Sequence, residues 1–241
     1  MIEDSPFGRI VIPERLPAGK ALFYTTIDFD GRDLNDISGF LKQRFGIESS
    51  LFTCTQVHGA TVVGVQRLLP AVRGEGGRRP DEGQSPTCDA LWTADRHVAL
   101  GIKVADCLPV TLMGSRVLAN IHSGWRGTVQ RITAITLDAI EREASFDPRA
   151  SLAFLGPSIR VCCFEVGEEV ARQFDARFVD RSHAKPHVDV VGHTAALLVD
   201  RGFAASNIVD SGLCTRCDGS IFHSYRREGK GGGRNLAIAA Q

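Results

Sequence analysis

The segment from Val104 to Gly127, VADCLPVTLMGSRVLANIHSGWRG, constrains the fold more than any other part of the sequence. Two apolar runs typical of β-strands, LPVTLM and RVLANI, lie between Cys107 and His122. Consecutive runs of this kind favour a β-hairpin. A hairpin returns the end of its second strand to the start of its first. Cys107 and His122 are therefore predicted to meet in space, although 15 positions separate them in sequence.

The composition is typical of a globular protein and argues against several classes of function. Of the 241 residues, 43% are hydrophobic and 23% are charged, which is enough for a substantial core. The formal net charge is zero, so no overall field favours nucleic acid or an anionic membrane. No apolar run approaches the roughly 20 residues that span a bilayer, and the N-terminus lacks the apolar region of a secretory signal. We therefore expect a cytoplasmic protein without a nucleic-acid or membrane partner.

The seven cysteines are odd in number and irregular in spacing, which argues against a disulfide framework. Cys214 and Cys217 form a CxxC motif, but no second pair and no thioredoxin-like pattern accompany it. We interpret them as reduced structural thiols, and the adjacent Cys162 and Cys163 as packing residues. Cys107 is then the cysteine to consider as a ligand, a nucleophile or a core residue.

Periodicity predicts helices and strands in an order that favours an α+β or mixed layered fold over a doubly wound sheet. Helical spacing occurs in residues 33–46, Thr128–Glu143, Glu168–Phe178 and Val190–Arg201. The first of these helices is expected to begin at Asp33 or Asn35 and to end at Gly46.

Strand patterns are found in Arg9–Ile12, Lys20–Thr25, Leu51–Val57, Thr61–Gln66, Asp89–Ala94, Val98–Val104, Ser151–Leu155, Asn207–Val209 and Ile221–Tyr225. The turn at Gly59 predicts a hairpin of Leu51–Val57 with Thr61–Gln66, with His58 at its tip. Val72–Pro86 is glycine-rich and aperiodic, and we expect a mobile loop there.

His58, Cys107 and His122 each follow or close a predicted strand, where side chains can converge. A catalytic zinc ion takes three protein ligands and keeps one position open, and Cys and His are suitable ligands. Alternatively, Cys107 is a thiolate nucleophile with His122 or His58 as its base. A third interpretation makes them an exposed turn residue, a buried thiol and a core histidine. The spacing alone leaves all three open.

A basic set combines Arg126 with the C-terminal segment that holds Arg226, Arg227, Lys230 and Arg234. Arginine forks and exposed glycine N–H groups bind phosphate, and the glycines of GKGGGR lie between the arginines of the C-terminal segment. The segment is not a nucleotide P-loop, because it lacks the Gly-Lys-Ser/Thr ending. Without further support, a solvated tail is the alternative.

Taken together, these motifs resemble the YfiH-like family, also called the multicopper polyphenol oxidase or laccase-domain family. Peptidoglycan editing factors and purine nucleoside phosphorylases belong to that family. The resemblance rests on QVHGATVV (Gln56–Val63), CDALWTA (Cys88–Ala94), ADCLPV (Ala105–Val110), HSGWRG (His122–Gly127), GPSI and CFEVGEEV (within Gly156–Val170), CT (Cys214–Thr215) and SYRREGKGGGR (Ser224–Arg234). It covers about residues 50–235, and the N-terminal part departs from the pattern.

The resemblance implies a single domain over residues 1–241, folded as a layered α/β/β/α sandwich with mixed sheets. It implies that His58, Cys107 and His122 are the metal-binding and catalytic residues, with zinc as the cofactor in preference to copper. The implied enzyme is a monomer that phosphorolyses adenosine, inosine and methylthioadenosine and also deaminates adenosine. Its partners would be small-molecule nucleosides and phosphate.

Under this resemblance the basic set becomes a candidate phosphate site, formed by Arg126, Arg226, Arg227 and Arg234. Three alternatives stay open: a Cys107-dependent amidase in peptidoglycan precursor editing, a copper polyphenol oxidase, and a non-enzymatic protein with a structural metal. The oxidase is disfavoured because the chain has only two methionines and such a site needs more histidines than this trio.

Overall fold

Two six-stranded sheets form the centre of the computed structural model, which describes residues 1–29, 34, 36–67 and 85–241. In spatial order the first sheet contains β1 (Ile2–Ser5), β2 (Gly8–Val11), β3 (Ala21–Thr25), β14 (Asn235–Ala240), β7 (Val98–Val104) and β4 (Ser50–Phe52). The second contains β13 (Ile208–Asp210), β10 (Leu152–Leu155), β8 (Leu108–Met113), β9 (Leu118–Ser123), β6 (Ala90–Thr93) and β5 (Val62–Gly64). Both sheets mix parallel and antiparallel pairs.

The helices in the described residues are α1 (Ile37–Phe45), α2 (Trp125–Val129), α3 (Ile132–Glu143), α4 (Glu168–Ala171), α5 (Val190–Asp200) and α6 (Tyr225–Glu228). A short pair of strands, β11 (Val179–Asp180) and β12 (His187–Val188), lies outside the main sheets. None of the described helices has the length and hydropathy needed to cross a membrane.

The apolar clusters show that the molecule is built in four layers. Between the sheets, Leu100 and Ile102 of the first sheet pack with Leu118 and Phe154 of the second. On the outer face of the first sheet, α1 buries its apolar side. On the outer face of the second, α3 and α5 do the same. The predicted α+β fold with mixed sheets and α/β/β/α layering is confirmed.

The predicted Cys107–His122 hairpin is confirmed as β8 and β9. Pro109 pairs with His122, and Leu108 pairs with Ser123. All residues of both strands are buried, because each strand has helices on one side and the other sheet on its second side. The first helix ends at Gly46 as predicted, with φ of 68°. Its predicted starts, Asp33 and Asn35, lie outside the described residues, as do residues 72–84 of the predicted mobile loop.

The predicted hairpin of Leu51–Val57 with Thr61–Gln66 is wrong. β4 pairs with β7 in the first sheet, whereas β5 pairs in parallel with β6 in the second. The chain crosses from one sheet to the other between them, because each short apolar run finds its partner in a different layer. His58 therefore lies in a crossover.

Three further elements differ from their predicted extents. The predicted helix Thr128–Glu143 is interrupted at Arg131, which has φ of 63° and separates α2 from α3. The predicted helix Glu168–Phe178 stops after α4, because Asp175 caps a separate 3₁₀ turn by accepting from the Arg177 N–H. Residues 221–225 do not form a strand, because Ser224 caps α6 there.

Asn120 of β9 is a fully buried polar link between the two sheets. Its Nδ2 donates to the carbonyl oxygens of Leu100 (3.0 Å) and Ala237 (2.9 Å), which belong to β7 and β14. Its Oδ1 accepts from the Thr111 hydroxyl at 3.1 Å. The amide thus fixes how β9, which carries His122, sits against the first sheet.

We predict that Asn120→Ala lowers the free energy of unfolding by about 2 kcal/mol or more, because it removes buried hydrogen bonds and leaves a cavity. Urea denaturation followed by circular dichroism measures this. Thr136→Val is the matched control: it removes one buried hydroxyl that donates to the Ile132 carbonyl of its own helix, leaves both inter-sheet bonds and should cost less than half as much. Equal losses in the two variants would contradict the inter-sheet role.

Candidate functional site

His58, Cys107 and His122 converge at one cleft of about 880 Å³. Their candidate ligand atoms all lie within 4.8 Å of one another. The two imidazole rings meet edge to face, with centroids 4.8 Å apart. The structure therefore brings together the three residues that the sequence singled out.

Three different segments of the chain supply these side chains. His122 lies near the end of β9 and is buried, and Cys107 directly precedes β8 at the same end of the hairpin. His58 comes from the crossover between β4 and β5 and is exposed. The site thus has a buried side and a side that a ligand can reach.

Two of these segments contain a residue in the left-handed backbone conformation. His58 has φ of 60° and Asp106, directly before Cys107, has φ of 85°. Such values are uncommon for residues other than glycine and persist where the surroundings hold them. The Asp106 carboxylate accepts from the Thr215 hydroxyl and from the Arg226 backbone N–H, both at 2.6 Å. These bonds fix the turn that presents Cys107.

Asp89, for which no role was predicted from the sequence, orients both histidines. Its Oδ1 lies 2.8 Å from His122 Nδ1 and accepts the His58 backbone N–H at 2.9 Å. Its Oδ2 accepts the N–H groups of Gly59 (2.8 Å) and Val57 (3.3 Å). The residue is fully buried. The sequence did offer a signal for Asp89: an acidic residue directly before the buried strand in CDALWTA. A carboxylate buried at that position needs hydrogen-bond donors.

The trio and Asp89 stabilise one another's charges. Burial opposes ionisation of Cys107, but the charge and hydrogen bond of His122, aided by His58, lower the pKa of the thiol to about 6. Burial also opposes charge on His122, but the Cys107 charge and the Asp89 hydrogen bond raise the pKa of the imidazole to about 9. Without a metal, Cys107 and His122 therefore form a thiolate–imidazolium pair at neutral pH.

The donor set also suits a metal ion. Asp89 occupies His122 Nδ1, which leaves Nε2 of that ring for the cleft. A thiolate and two imidazole nitrogens are ligands that zinc accepts, and three protein ligands leave a position for substrate. The three side chains therefore fit a zinc ion of the catalytic kind.

The walls of the same cleft are basic, with cations contributed by Lys103, Arg126, Arg226, Lys230 and Arg234. No role was predicted for Lys103. Arg126 stacks on the Trp125 ring, with its guanidinium carbon 4.3 Å from the centroid. In the part of the chain that the structure describes, no carboxylate pairs with Arg126. Its donors are thus available to an anion in the cleft.

Two arginines of the C-terminal segment are held by backbone carbonyls. Arg226 donates to the Glu165 carbonyl at 2.8 Å, and Arg234 donates to the carbonyls of Gly232 (2.8 Å) and Gly233 (2.7 Å). Both still line the cleft. The C-terminal segment is therefore folded against the site and is not a solvated tail.

Arg227 was predicted to bind phosphate, but it is not among the residues that line the cleft. Its guanidinium donates to the carbonyl oxygens of Thr215 and Phe222 and pairs with Glu228. These bonds use its forked donors to fasten α6 to the preceding turn. The neighbouring Arg226 faces the cleft instead.

A family model described as multi-copper polyphenol oxidoreductase laccase matches residues 35–241. The chain belongs to this family. Among solved structures, a Neisseria meningitidis protein, NMB0706, superposes with a TM-score of 0.77 at 23% identity, covering 96% of this chain and 98% of the other. YlmD of Geobacillus stearothermophilus gives 0.76 at 23% identity, covering 93% and 92%. These likenesses establish a shared fold.

Curated relatives carry two enzyme names. Adenosine deaminase RL5, from an unknown prokaryotic organism, is 40% identical over 61% of this chain and 60% of its own length. Purine nucleoside phosphorylase YlmD of Bacillus subtilis is 29% identical over 72% and 66%. A purine nucleoside phosphorylase of Xylella fastidiosa is 32% identical over 80% and 73%. The chain thus aligns with less than two thirds of the length of the first two relatives.

We predict that Asp89→Asn weakens zinc binding at the trio by about 10- to 100-fold, because the histidines lose the carboxylate that orients them. Zinc bound there should shield Cys107 from iodoacetamide. Mass spectrometry of the Cys107 peptide at a series of free zinc concentrations gives the midpoint of protection. Asp28→Asn, in an ion pair with Arg9 outside the cleft, should keep the wild-type midpoint. An unshifted midpoint in Asp89→Asn would show that Asp89 does not contribute to zinc binding.

Proposed function

We propose that the chain is a zinc-dependent purine nucleoside phosphorylase that also deaminates adenosine. The observation that carries the proposal is one cleft lined by both a His–Cys–His ligand set and several cations. The names of its relatives support the same pair of activities. We further propose a cytoplasmic monomer that acts on small-molecule nucleosides and phosphate, without a nucleic-acid or membrane partner.

Phosphorolysis requires an anion site beside the sugar. The bond between the sugar C1′ and the base nitrogen breaks, a bond from C1′ to a phosphate oxygen forms, and the base leaves with a proton. Arg126 is suited to hold the phosphate, because its guanidinium is already oriented on Trp125 and forked donors match phosphate oxygens. Arg226, Arg234 and Lys230 add positive charge around the same space.

The purine needs flat apolar surface, and the same cleft offers it. Val57, Trp125, Ile159, Phe164 and Tyr225 line the cleft together with the cations. Tyr225 and Val57 are exposed, at 47% and 54% of their surface. Solvent-facing aromatic and apolar groups beside basic ones suit a ligand with a planar base and an anionic neighbour.

Deamination of adenosine replaces the amino group at C6 by the oxygen of water and releases ammonia. We propose that His58, Cys107 and His122 hold the zinc ion for this reaction, which would supply Lewis-acid chemistry beside the base. Asp89 keeps the His122 ring oriented with Nδ1 away from the cleft.

We propose zinc in preference to copper, in spite of the family's name, because no methionine accompanies the ligand set. A blue-copper site combines two histidines and a cysteine with a weak axial ligand, most often a methionine. Met113 is buried between the two sheets, and Met1 is at the N-terminus. Neither methionine lines the cleft.

The direct test is incubation of zinc-loaded protein with adenosine, inosine and methylthioadenosine, with and without phosphate. Chromatography then follows the free base, the sugar 1-phosphate and inosine formed from adenosine. We expect base release that depends on phosphate, and conversion of adenosine to inosine without it. If no substrate releases base in the presence of phosphate, the phosphorylase proposal is wrong.

We predict that Arg126→Gln raises the KM for phosphate about tenfold or more, because a hydrogen bond to a charged group contributes about 1.5–3 kcal/mol. Initial rates at varied phosphate and saturating nucleoside measure this. Arg172→Gln is the matched control, since the Arg172 side chain is 78% exposed and its ion-pair partner is Glu168 on α4. Equal phosphate KM values in both variants would show that Arg126 does not bind phosphate.

A second candidate function is hydrolysis of an amide by Cys107 as nucleophile. The ordered contacts from Asp89 to His122 and from His122 to Cys107, together with a thiol pKa of about 6, favour it. The substrate would be an amide of the kind found in peptidoglycan precursors.

Removal of the metal separates the two functions. We predict that chelator-treated protein loses nucleoside activity and regains it with zinc, because the proposed reaction uses the metal. A Cys107 hydrolase would instead keep its activity after chelation and form a covalent acyl adduct at Cys107, visible by mass spectrometry. Retention of nucleoside phosphorolysis by fully zinc-free protein would contradict the zinc-dependent proposal.

A further inference from the structure

Four cysteines outside the cleft form a second group of thiols. The Sγ atoms of Cys162, Cys163, Cys214 and Cys217 all lie within 4.8 Å of one another. Cys163 and Cys217 are 3.3 Å apart, and Cys162 lies 3.8 Å from both Cys214 and Cys217. The sequence predicted packing thiols and an unpartnered CxxC motif, but the fold makes the two pairs partners.

The pairing of β10 with β13 explains why the pairs meet. The two strands run in parallel, and their alignment continues beyond their ends into a bridge between Ser158 and Cys214. The Thr215 N–H donates to the Ser158 carbonyl at 3.0 Å. The CxxC turn is closed by the Asp218 N–H, which donates to the Cys214 carbonyl at 2.9 Å. Both cysteine pairs thus lie in turns that follow neighbouring strands.

The sulfur arrangement matches the first shell of a tetrahedral metal ion. Zinc–sulfur bonds of about 2.3 Å in a tetrahedron place neighbouring sulfurs about 3.8 Å apart. Two of the measured distances are 3.8 Å and the third is 3.3 Å. We propose that Cys162, Cys163, Cys214 and Cys217 form a structural zinc site.

Polar groups surround one of the four sulfurs. Backbone N–H groups of Arg160, Arg216 and Cys217 lie near the Cys214 sulfur, and so does the Arg160 guanidinium, which pairs with Asp210. Such donors offset the net negative charge of a zinc ion with four thiolates. Cys163 and Cys214 are buried, whereas Cys162 and Cys217 are at the surface, so a metal ion can reach the site from solvent.

The site is structural because four protein ligands leave no position for substrate. It fastens two segments that contribute to the cleft. Thr215, within the CxxC motif, donates to the Asp106 carboxylate. Phe164 follows Cys163, lines the cleft and lies under the Arg226 guanidinium, whose carbon is 5.5 Å from the ring centroid. A metal ion bound by the four cysteines would hold in place both the segment of Thr215 and the segment of Phe164.

The test counts zinc per chain in full-length protein by elemental analysis. We expect two zinc ions in the wild type, one in Cys217→Ser and one in Cys107→Ala. Cys88→Ala, which removes a buried thiol outside both groups, should keep two. If the proposed zinc at the cleft is wrong, the wild type and Cys107→Ala will each hold one ion, and Cys217→Ser will hold none. If Cys217→Ser keeps the wild-type content, the four-cysteine site is wrong.

Cobalt substitution in Cys107→Ala keeps the test decisive if Cys217→Ser does not fold. Cobalt(II) bound by four thiolates in a tetrahedron gives strong visible absorption together with thiolate-to-metal charge transfer. We expect that spectrum, and we expect all four cysteines to react with iodoacetamide only after chelation. Absence of the spectrum would overturn the proposal. Alkylation that requires a reductant instead of a chelator would also overturn it, and would indicate disulfides.

Discussion

The buried carboxylate of Asp89 is the interaction on which the rest of the site depends. One side chain positions the ring of His122, which belongs to β9, and the backbone of His58, which belongs to the crossover between the sheets. Burying an unpartnered carboxylate is costly, so the charge requires these donors. The donors in turn require the β5–β6 pairing that keeps Asp89 beside the crossover. The geometry of the candidate metal site is therefore a consequence of satisfying one internal charge.

Much of the site could be predicted because its members stand at the ends of strongly patterned strands. The apolar runs around Cys107 and His122 admit few structures other than a hairpin in a sheet covered on both faces. The order of the predicted elements favoured a layered α+β fold, and the family resemblance implied the α/β/β/α layering. His58 was expected to approach Cys107 and His122, and it does. Its neighbours were placed in a hairpin, because short strands do not reveal which sheet will accept them.

The contacts that could not be predicted are those that join distant segments. Asp89 meets His58 over 31 positions and Thr215 meets Asp106 over 109. The cysteine pairs meet over more than 50 positions, because they depend on the parallel alignment of β10 with β13. The local sequence pattern carries no information on such pairing. Which distant segments meet is decided by how the layers pack. The direction of Arg227 is likewise fixed by carbonyls that only the folded turn presents.

The turn at Asp106 has a consequence for the sequences that this fold can tolerate. Glycine would adopt φ of 85° without strain, but it would leave the Thr215 hydroxyl and the Arg226 N–H without their acceptor. Most other residues would neither accept these bonds nor adopt the conformation readily. Position 106 therefore admits a very small set of amino acids, and the turn that it forms holds the Cys107 thiol in one orientation.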